Sequence, residues 1–243
     1  MNDNYTSIGN IFLLKEPMGL PKDHIQKIED LLQGPLPKAL KNYYEWCGGC
    51  KDMNSAQDFL LTLDGRYGHY AFKNFLHPDY FAFYVENQCV YVWGFKKTEG
   101  YAKGDPEVYE SSDLGKTWSP TGNSLSQFLN SHAYMNFIFS MEYFNEDFVD
   151  ATEEQVQQLK EQFPIIENVG SPTTTTNNNN NNNIQYLQPY EDTIIMIQEG
   201  VDEKYELYYS SRSKQNFKKI NRIILRMTGF EFDSESESNS DSD

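Results

Sequence analysis

Residues 36–49 read Leu36-Pro37-Lys38-Ala39-Leu40-Lys41-Asn42-Tyr43-Tyr44-Glu45-Trp46-Cys47-Gly48-Gly49. The apolar positions of this run recur every three or four residues, which is the spacing of one helix face. Proline suits the start of a helix, and the Gly48-Gly49 pair permits a left-handed turn at its end. The run therefore predicts a helix from Lys38 to Cys47.

A second amphipathic segment precedes this run. Residues 23–33 place Ile25, Ile28, Leu31 and Leu32 on one helical face. Pro35 and Pro37 follow the segment, and proline interrupts helical hydrogen bonding. The two segments together predict a helix pair.

Short runs rich in aromatic and β-branched residues follow the helix pair. They cover residues 59–63, 80–85 and 89–95, with Glu86-Asn87-Gln88 as a turn between the last two. Such runs separated by polar turns are typical of an antiparallel meander. We expect the aromatic side chains of these strands to form core rather than a stacking platform. They are Tyr80, Phe81, Phe83, Tyr84, Tyr91 and Trp93.

Two capping boxes mark the starts of further helices. Ser124 is followed three residues later by Gln127, and Thr152 is followed by Gln155. In such a box each side chain satisfies a backbone N–H of the first helical turn. The first helix is predicted to bury Leu125, Phe128, Leu129, Met135, Phe139 and Tyr143, and the second Val156, Leu159 and Phe163.

A run of threonines and asparagines interrupts the chain at residues 173–183. It has no apolar side chain to bury, so nothing offsets the entropy cost of ordering it. We predict a disordered low-complexity insertion over residues 164–190. Residues 233–243 consist of Ser, Asp, Glu and Asn, and they are predicted to be disordered as well.

The predicted class is α+β. The N-terminal helix pair packs on a mainly antiparallel sheet with a long following helix. After the insertion, strands at residues 193–198 and 205–209 and a helix at residues 213–227 form a further unit. The predicted divisions are an N-terminal segment (1–19), a main domain (20–150), a helix (151–163), the insertion (164–190), a strand-strand-helix extension that packs on the main domain (191–230) and an acidic tail (231–243).

Composition and charge narrow the function classes. The 243 residues are 38% hydrophobic, which provides for a sizeable core, and the formal net charge is -16. A chain of this charge repels nucleic acid phosphates and anionic membranes, so a protein partner with a basic or neutral surface is expected. No apolar run has the length of a membrane span or of a signal-peptide core. A cytoplasmic protein, or a nuclear one, is the expectation.

The chain has three cysteines, Cys47, Cys50 and Cys89. An odd and small number of cysteines does not fit a disulfide framework. Cys47 and Cys50 have the C-x-x-C spacing of redox and zinc sites. A redox cysteine needs a helix N-terminus to favour its thiolate, and Cys47 is predicted at a helix C-terminus. We therefore favour a structural role and expect no metal and no cofactor. A cysteine-dependent redox or hydrolytic enzyme remains the alternative.

The segment Ser111-Ser112-Asp113-Leu114-Gly115-Lys116-Thr117-Trp118 invites two further functional interpretations. Its Gly115-Lys116-Thr117 resembles the end of a phosphate-binding loop, but Glu110 replaces the required first glycine. The whole segment matches the Asp-box turn S-x-D-x-G-x-x-W, which sialidases repeat around a propeller. A single copy predicts only a β-hairpin. No catalytic residues are predicted anywhere in the chain.

Taken in order, these features resemble the SUKH superfamily. The run from Leu36 to Gly49 is similar to its Leu-Pro, helix, Gly-Gly signature, although Cys47 stands where the family usually has Asn. Further on, Glu86-Asn87-Gln88, Trp93, Asp105-Pro106-Glu107-Val108-Tyr109, Trp118 and Ser124-Leu125-Ser126-Gln127-Phe128-Leu129 follow the family's order and spacing. The resemblance covers about residues 20–145.

This superfamily includes bacterial toxin-immunity proteins and fungal regulators of cell-wall synthesis. The resemblance implies an α+β binding domain and carries no catalytic residues over to this chain. The expected function is a non-enzymatic protein-interaction module, either immunity-protein-like or a regulator or scaffold.

A basic segment near the C-terminus leads to a separate hypothesis. Residues 207–230 contain no acid, and they include Arg212, Lys214, Lys218, Lys219, Arg222 and Arg226 as a candidate anion-binding helix. Binding of this helix to an anionic membrane or RNA is a second alternative function. We hypothesise that the acidic tail covers the helix. Ser234, Ser238 and Ser240 each precede an acid by three residues, a pattern that acidophilic kinases prefer, and they are candidate phosphorylation sites.

Overall fold

The computed structural model describes residues 6–170, 184–200 and 204–229, and it has the predicted α+β class. Its helices are α1 (Thr6–Ile11), α2 (Lys22–Leu32), α3 (Lys38–Cys47), α4 (Lys51–Asn54), α5 (Lys97–Ala102), α6 (Leu125–Ser140), α7 (Glu153–Gln162) and α8 (Lys214–Thr228). Its strands are β1 (Phe59–Leu60), β2 (Tyr80–Val85), β3 (Val92–Lys96), β4 (Glu107–Ser111), β5 (Ser119–Ser124), β6 (Tyr143–Phe144), β7 (Val149–Ala151), β8 (Ile184–Tyr190), β9 (Thr193–Glu199) and β10 (Tyr205–Ser211).

The strands form two antiparallel sheets. The first has the order β1-β2-β3-β4-β5, which is the meander predicted from the aromatic runs. The second has the order β6-β10-β9-β8, and β7 also pairs with β10. A tight turn joins β8 to β9, and loops join β2 to β3 and β4 to β5, whereas a long connection separates β1 from β2 and helix α5 lies between β3 and β4.

Helix α6 lies between the two sheets and contacts strands of both. Eleven of its sixteen residues are buried, including Phe128, Ala133 and Phe137. A helix that is apolar on nearly all sides is stable only where every side is covered. Its start is the predicted capping box, in which the Ser124 hydroxyl accepts from the Gln127 amide and the Gln127 side chain accepts from the Ser124 amide.

One apolar core joins the first sheet, the helices around α6 and the inner face of the second sheet. It contains Phe83 and Trp93 of the first sheet together with Tyr186, Ile194 and Met196 of the second. The outer face of the second sheet forms a separate core with α7 and α8. This core consists of Val149, Ala151, Val156, Leu159, Phe163, Leu187, Ile195, Ile197, Leu207, Tyr209, Ile220 and Ile224.

A buried polar network fixes α6 relative to the loop before β1. The Asn136 side chain accepts from the Gln57 amide at 2.7 Å, and it donates to the Met53 carbonyl at 2.8 Å and to the Tyr84 hydroxyl at 2.9 Å. One turn earlier on the helix, the buried His132 ring lies 3.5 Å from the Asp58 carboxylate. Buried polar groups need such partners, so the network specifies one position for the helix.

Two sequence predictions differ from the structure. Residues 184–190 were assigned to the insertion, but they form β8, and Leu187 also bridges to Ile165. Tyr143 was assigned to the buried stripe of the long helix, which ends at Ser140, and Tyr143 instead pairs with Ser211 in the second sheet. In both cases strand pairing determines the structure, since β8 pairs with the adjacent β9 and β6 pairs with the distant β10.

Candidate protein-binding site

The outer face of the first sheet carries the candidate site. Successive side chains of a strand point to opposite faces. Phe81 and Phe83 of β2 and Phe95 of β3 are buried in the core. Tyr80 and Tyr109 occupy alternate positions and are partly exposed on the opposite face. This face of the sheet is therefore accessible to solvent and to a binding partner.

Four rings cluster on this outer face. Tyr80 stacks on Trp118 with ring centroids 5.0 Å apart and planes 10° apart, and Tyr109 meets Tyr80 edge-on at 5.2 Å. His77 lies 5.4 Å from Tyr80 and 6.4 Å from Trp118. All four side chains are partly exposed. We call the set His77, Tyr80, Tyr109 and Trp118 the aromatic face.

Gly94 makes room for this cluster. It lies in β3 between Ala82 of β2 and Tyr109 of β4. A Cβ atom on Gly94 would lie 2.7 Å from the carbonyl oxygen of Phe81 and 2.9 Å from the Trp118 ring. Because such contacts are too short for carbon, only glycine allows the indole to lie directly on the sheet.

The Asp-box turn holds Trp118 from below, and the predicted β-hairpin is the β4–β5 connection. The Asp113 carboxylate accepts from the Lys116 and Thr117 amides at 3.0 and 2.8 Å. These hydrogen bonds, together with those from the Thr117 and Ser111 hydroxyls, lower the pKa of Asp113 to about 2. The Trp118 ring N–H donates to the Gly115 carbonyl at 2.9 Å, so the indole orientation is fixed.

Polar groups border the aromatic face on the side of α5. The Tyr109 hydroxyl donates to Glu99 at 3.3 Å, and Glu99 also pairs with Lys103 at 2.9 Å. Partial burial and the nearby Glu99 charge raise the pKa of Tyr109 to about 12. The hydrogen bond from Lys103 lowers the pKa of Glu99. The phenol is therefore neutral and the carboxylate charged at neutral pH.

A shallow crevice continues the aromatic face toward α2. It is lined by Leu31, Phe72, Phe75, Leu76, His77, Tyr80, Phe81, Ala82 and Lys97. The Leu76 side chain is 68% exposed at its edge. His77 Nδ1 accepts from the amides of Asp79 and Tyr80, which places the proton of a neutral ring on Nε2. An apolar wall and a polar donor thus lie side by side.

The sequence did not predict this site, because it assigned Tyr80 to the core together with its neighbours. Phe81, Phe83, Tyr84 and Trp93 are indeed buried, whereas Tyr80 and Tyr91 are only partly buried. Side chains alternate between the two faces along β2, so Tyr80 is expected on the face opposite Phe81. Together with the Trp of the Asp-box turn, Trp118, this alternation is a signal in the sequence that could have indicated an outward-facing aromatic pair.

The basic residues of the candidate anion-binding helix fall into two groups. Lys214, Lys218, Lys219, Arg222 and Arg226 are exposed on α8. Arg212 precedes the helix, is partly buried, and donates to the Ile11 carbonyl at 2.8 Å. Its guanidinium also lies 6.0 Å from the Phe12 ring centroid and 5.7 Å from that of Phe137. Internal packing and hydrogen bonding thus engage the Arg212 guanidinium, which sets it apart from the five exposed cations of α8.

The two cysteines of the C-x-x-C segment are buried. Burial raises the pKa of both thiols, and the Cys47 thiol also donates to the Tyr43 carbonyl. The Asn54 amide donates to the backbone carbonyls of Cys47 and Cys50, so the segment forms an internally bonded turn. A thiol with a raised pKa is protonated at neutral pH and is a poor nucleophile.

The remaining predicted sites lie partly beyond the structure. Ser234, Ser238 and Ser240 are outside the described residues. Within residues 6–170, 184–200 and 204–229, no group of His, Cys, Asp and Glu side chains could hold a metal ion. No helix in this part of the chain is long and apolar enough to cross a membrane.

Comparison with known proteins identifies one family model that matches part of this chain. The profile of the SMI1 / KNR4 family (SUKH-1) matches residues 19–131, which run from just before α2 into α6 and include the aromatic face. Comparisons with curated proteins and with solved structures return no significant match. The match over residues 19–131 supports membership of this part of the chain in the SUKH superfamily.

Proposed function

We propose that this chain is a non-enzymatic protein-interaction module that binds its partner through the aromatic face. Membership in the SMI1 / KNR4 family supports the general type, because that family suggests immunity proteins or cell-wall regulators. The aromatic face supports a specific binding surface, because its tyrosine and tryptophan rings are rigid and partly exposed on the sheet.

Tyrosine and tryptophan dominate the binding energy of protein interfaces, because they bury large areas at a small cost in side-chain entropy. The ring of Trp118 is fixed by its hydrogen bond to Gly115 and by its stack on Tyr80. Little ordering free energy is therefore lost when a partner covers them. The adjacent crevice with the exposed Leu76 extends the apolar area.

The net charge of the chain indicates what kind of surface its partner has. The chain carries a formal net charge of -16, so a partner with a neutral or basic surface approaches it most readily. A cysteine-dependent enzyme is the competing function, and the raised pKa values of Cys47 and Cys50 argue against it.

The test compares the chain with Leu76→Ser and Tyr80→Ser variants. Immobilised full-length protein captures partners from extracts of its source cells, and the affinity of a captured protein is then measured with purified components. We expect each variant to weaken binding about tenfold or more, in the range of interface anchor residues. The matched control is Phe148→Ser, since Phe148 is an aromatic residue 46% exposed and distant in sequence from this face.

Thermal melting establishes that all three variants remain folded. Binding that is unaffected by both Leu76→Ser and Tyr80→Ser, but is lost in Phe148→Ser, would assign the interface to the second sheet and refute the aromatic face.

A further inference from the structure

The exposed face of α8 is a strip of positive charge. Lys214, Lys218, Arg222 and Arg226 follow one another at intervals of four residues, and Lys219 lies beside them. Residues four apart are neighbours on a helix surface. The opposite face buries Ile220 and Ile224 against the second sheet. We call these five exposed cations the basic strip.

No carboxylate among the described residues forms an ion pair with the basic strip. The contacts of Lys219 are the Asn216 side chain at 3.5 Å and the face of the Tyr190 ring at 5.5 Å. The helix itself contains no acidic residue, and its first turn carries Lys214 at the positive end of the helix dipole. Like charges four residues apart also repel one another. An anion from outside the helix would relieve this repulsion.

We propose that the basic strip binds the acidic segment at residues 231–243 of the same chain. That segment lies outside the described residues, and its sequence contains six carboxylates and no base. They are Glu231, Asp233, Glu235, Glu237, Asp241 and Asp243. Six negative charges complement the five positive charges of the strip.

Helix α8 ends beside the C-terminal end of the strip. The helix ends at Gly229, which has the left-handed conformation with φ 74°. A left-handed glycine turns the chain out of the helix axis and back across its last turn. Gly229 itself lies three residues after Arg226, which is at one end of the strip.

The acidic segment is long enough to cover the strip. Fifteen helical residues span about 22 Å at 1.5 Å per residue. The 14 residues that follow Gly229 have an end-to-end distance of roughly 20 Å as a flexible chain and a maximum near 50 Å when extended. A tethered segment of this length has an effective concentration on the order of millimolar, which favours it over free anions.

Phosphorylation strengthens this interaction. Ser234, Ser238 and Ser240 lie among the six acids, and a phosphate on each adds about -1.5 to -2 charges. Phosphate oxygens also accept charge-assisted hydrogen bonds from lysine and arginine. In the phosphorylated chain, other anions therefore compete less effectively for the basic strip.

The first experiment is zero-length carbodiimide cross-linking of the full chain, which joins carboxylates to lysines in contact. An equal mixture of unlabelled and nitrogen-15-labelled chains separates links within a chain from links between chains. We expect links within a chain between residues 231–243 and Lys214, Lys218 or Lys219. They should disappear at about 1 M salt, where charge interactions are screened within about 3 Å. Equal linking of the segment to the exposed Lys22, Lys73 and Lys116 would overturn the proposal.

The second experiment measures binding of a fluorescent peptide of residues 231–243 to full-length variants. In the neutral-tail variant, the six acids are replaced by Gln or Asn. We expect the peptide to bind this variant and to bind the unmodified chain about tenfold more weakly, because the tethered segment competes. Adding Lys218→Gln, Lys219→Gln and Arg222→Gln to the neutral-tail variant should abolish binding. The matched control adds Lys22→Gln, Lys73→Gln and Lys116→Gln, and it should bind as before.

The same variants test whether a phosphorylated segment, a membrane surface or RNA binds the basic strip. A peptide phosphorylated at Ser234, Ser238 and Ser240 should bind the neutral-tail variant more tightly than the unphosphorylated one. Phosphatidylserine vesicles and a short single-stranded RNA should bind the neutral-tail variant in preference to the unmodified chain. If vesicles or RNA bind both proteins equally, the acidic segment does not occupy the strip, and the proposal fails.

Discussion

The guanidinium of Arg212 donates a hydrogen bond to the backbone carbonyl of Ile11, 201 residues earlier in the chain, at 2.8 Å. This contact joins the end of the second sheet to helix α1, and the Phe12 and Phe137 rings flank the same guanidinium. Burial lowers the pKa of Arg212 from its ordinary value, and the group remains charged at all physiological pH values. The residue therefore has a structural role.

We expect Arg212→Ala to lower the free energy of unfolding by about 1.5–3 kcal/mol, the range for hydrogen bonds made by charged groups. Arg222→Ala is the matched control, because Arg222 is exposed on α8, and its effect should stay within about 0.5 kcal/mol. Urea denaturation of both variants measures the difference. Equal effects would show that the contact with Ile11 contributes nothing to stability.

A methyl group at Gly94 should disturb the aromatic face without altering its rings. We expect Gly94→Ala to cost about 1–3 kcal/mol, because the added carbon collides with the Phe81 carbonyl and the Trp118 ring. Trp118 should become more accessible to a fluorescence quencher. Gly104→Ala is the control, since its Cβ would make an ordinary contact with Lys38 at 3.4 Å. An unchanged tryptophan accessibility would contradict the role assigned to Gly94.

The Asp-box turn should lose stability in acid. The pKa of Asp113 is about 2 in the folded chain against an ordinary value of 3.8, since hydrogen bonds from Thr117 and its neighbours favour the carboxylate. Its contribution to folding is complete above pH 3.8 and is lost as the pH falls toward 2. Carbon-13 NMR of the Asp113 carboxyl group measures its midpoint directly. A midpoint near 3.8 would show that these hydrogen bonds do not hold the turn in solution.

Cys47 and Cys50 should resist alkylation in the folded protein. Burial raises their pKa values, so the reactive thiolate is scarce at pH 7. In a Cys89→Ser background, we expect iodoacetamide to modify no cysteine in the native state and both in urea. Mass spectrometry counts the modified residues. Rapid native modification at about pH 6 would instead support the cysteine-dependent alternative.

Local sequence signals predicted several elements closely. Helix α3 has the predicted bounds, Lys38–Cys47, because its apolar face and its flanking Pro37 and Gly48 are all local. The left-handed turn predicted at its end is wrong, since Gly48 is right-handed with φ -60° and ψ -15°. The capping boxes at Ser124 and Thr152 start α6 and α7 as predicted. Each of these signals depends on residues within one or two helical turns.

Strand pairing was not predictable in the same way. Strand β8 follows directly after the asparagine run, and Pro189 lies within it, so its sequence resembles a continuation of the loop. Its partner β9 supplies the hydrogen bonds that order it, and Tyr186 and Leu187 enter the two cores. Strand β6 likewise exists because β10 lies beside it.

Periodicity, caps and the order of motifs along the chain are enough to predict the α+β class, the helix pair, the meander and the resemblance to the SUKH superfamily. They do not predict which side chains face outward together, because that depends on tertiary packing. Tyr80 and Trp118 are 38 positions apart and stack because strand register places them over Gly94. Arg212 does not belong to the basic strip, because it contacts the Ile11 carbonyl and the Phe12 and Phe137 rings. Both outcomes depend on packing between residues far apart in sequence, and local patterns do not record that packing.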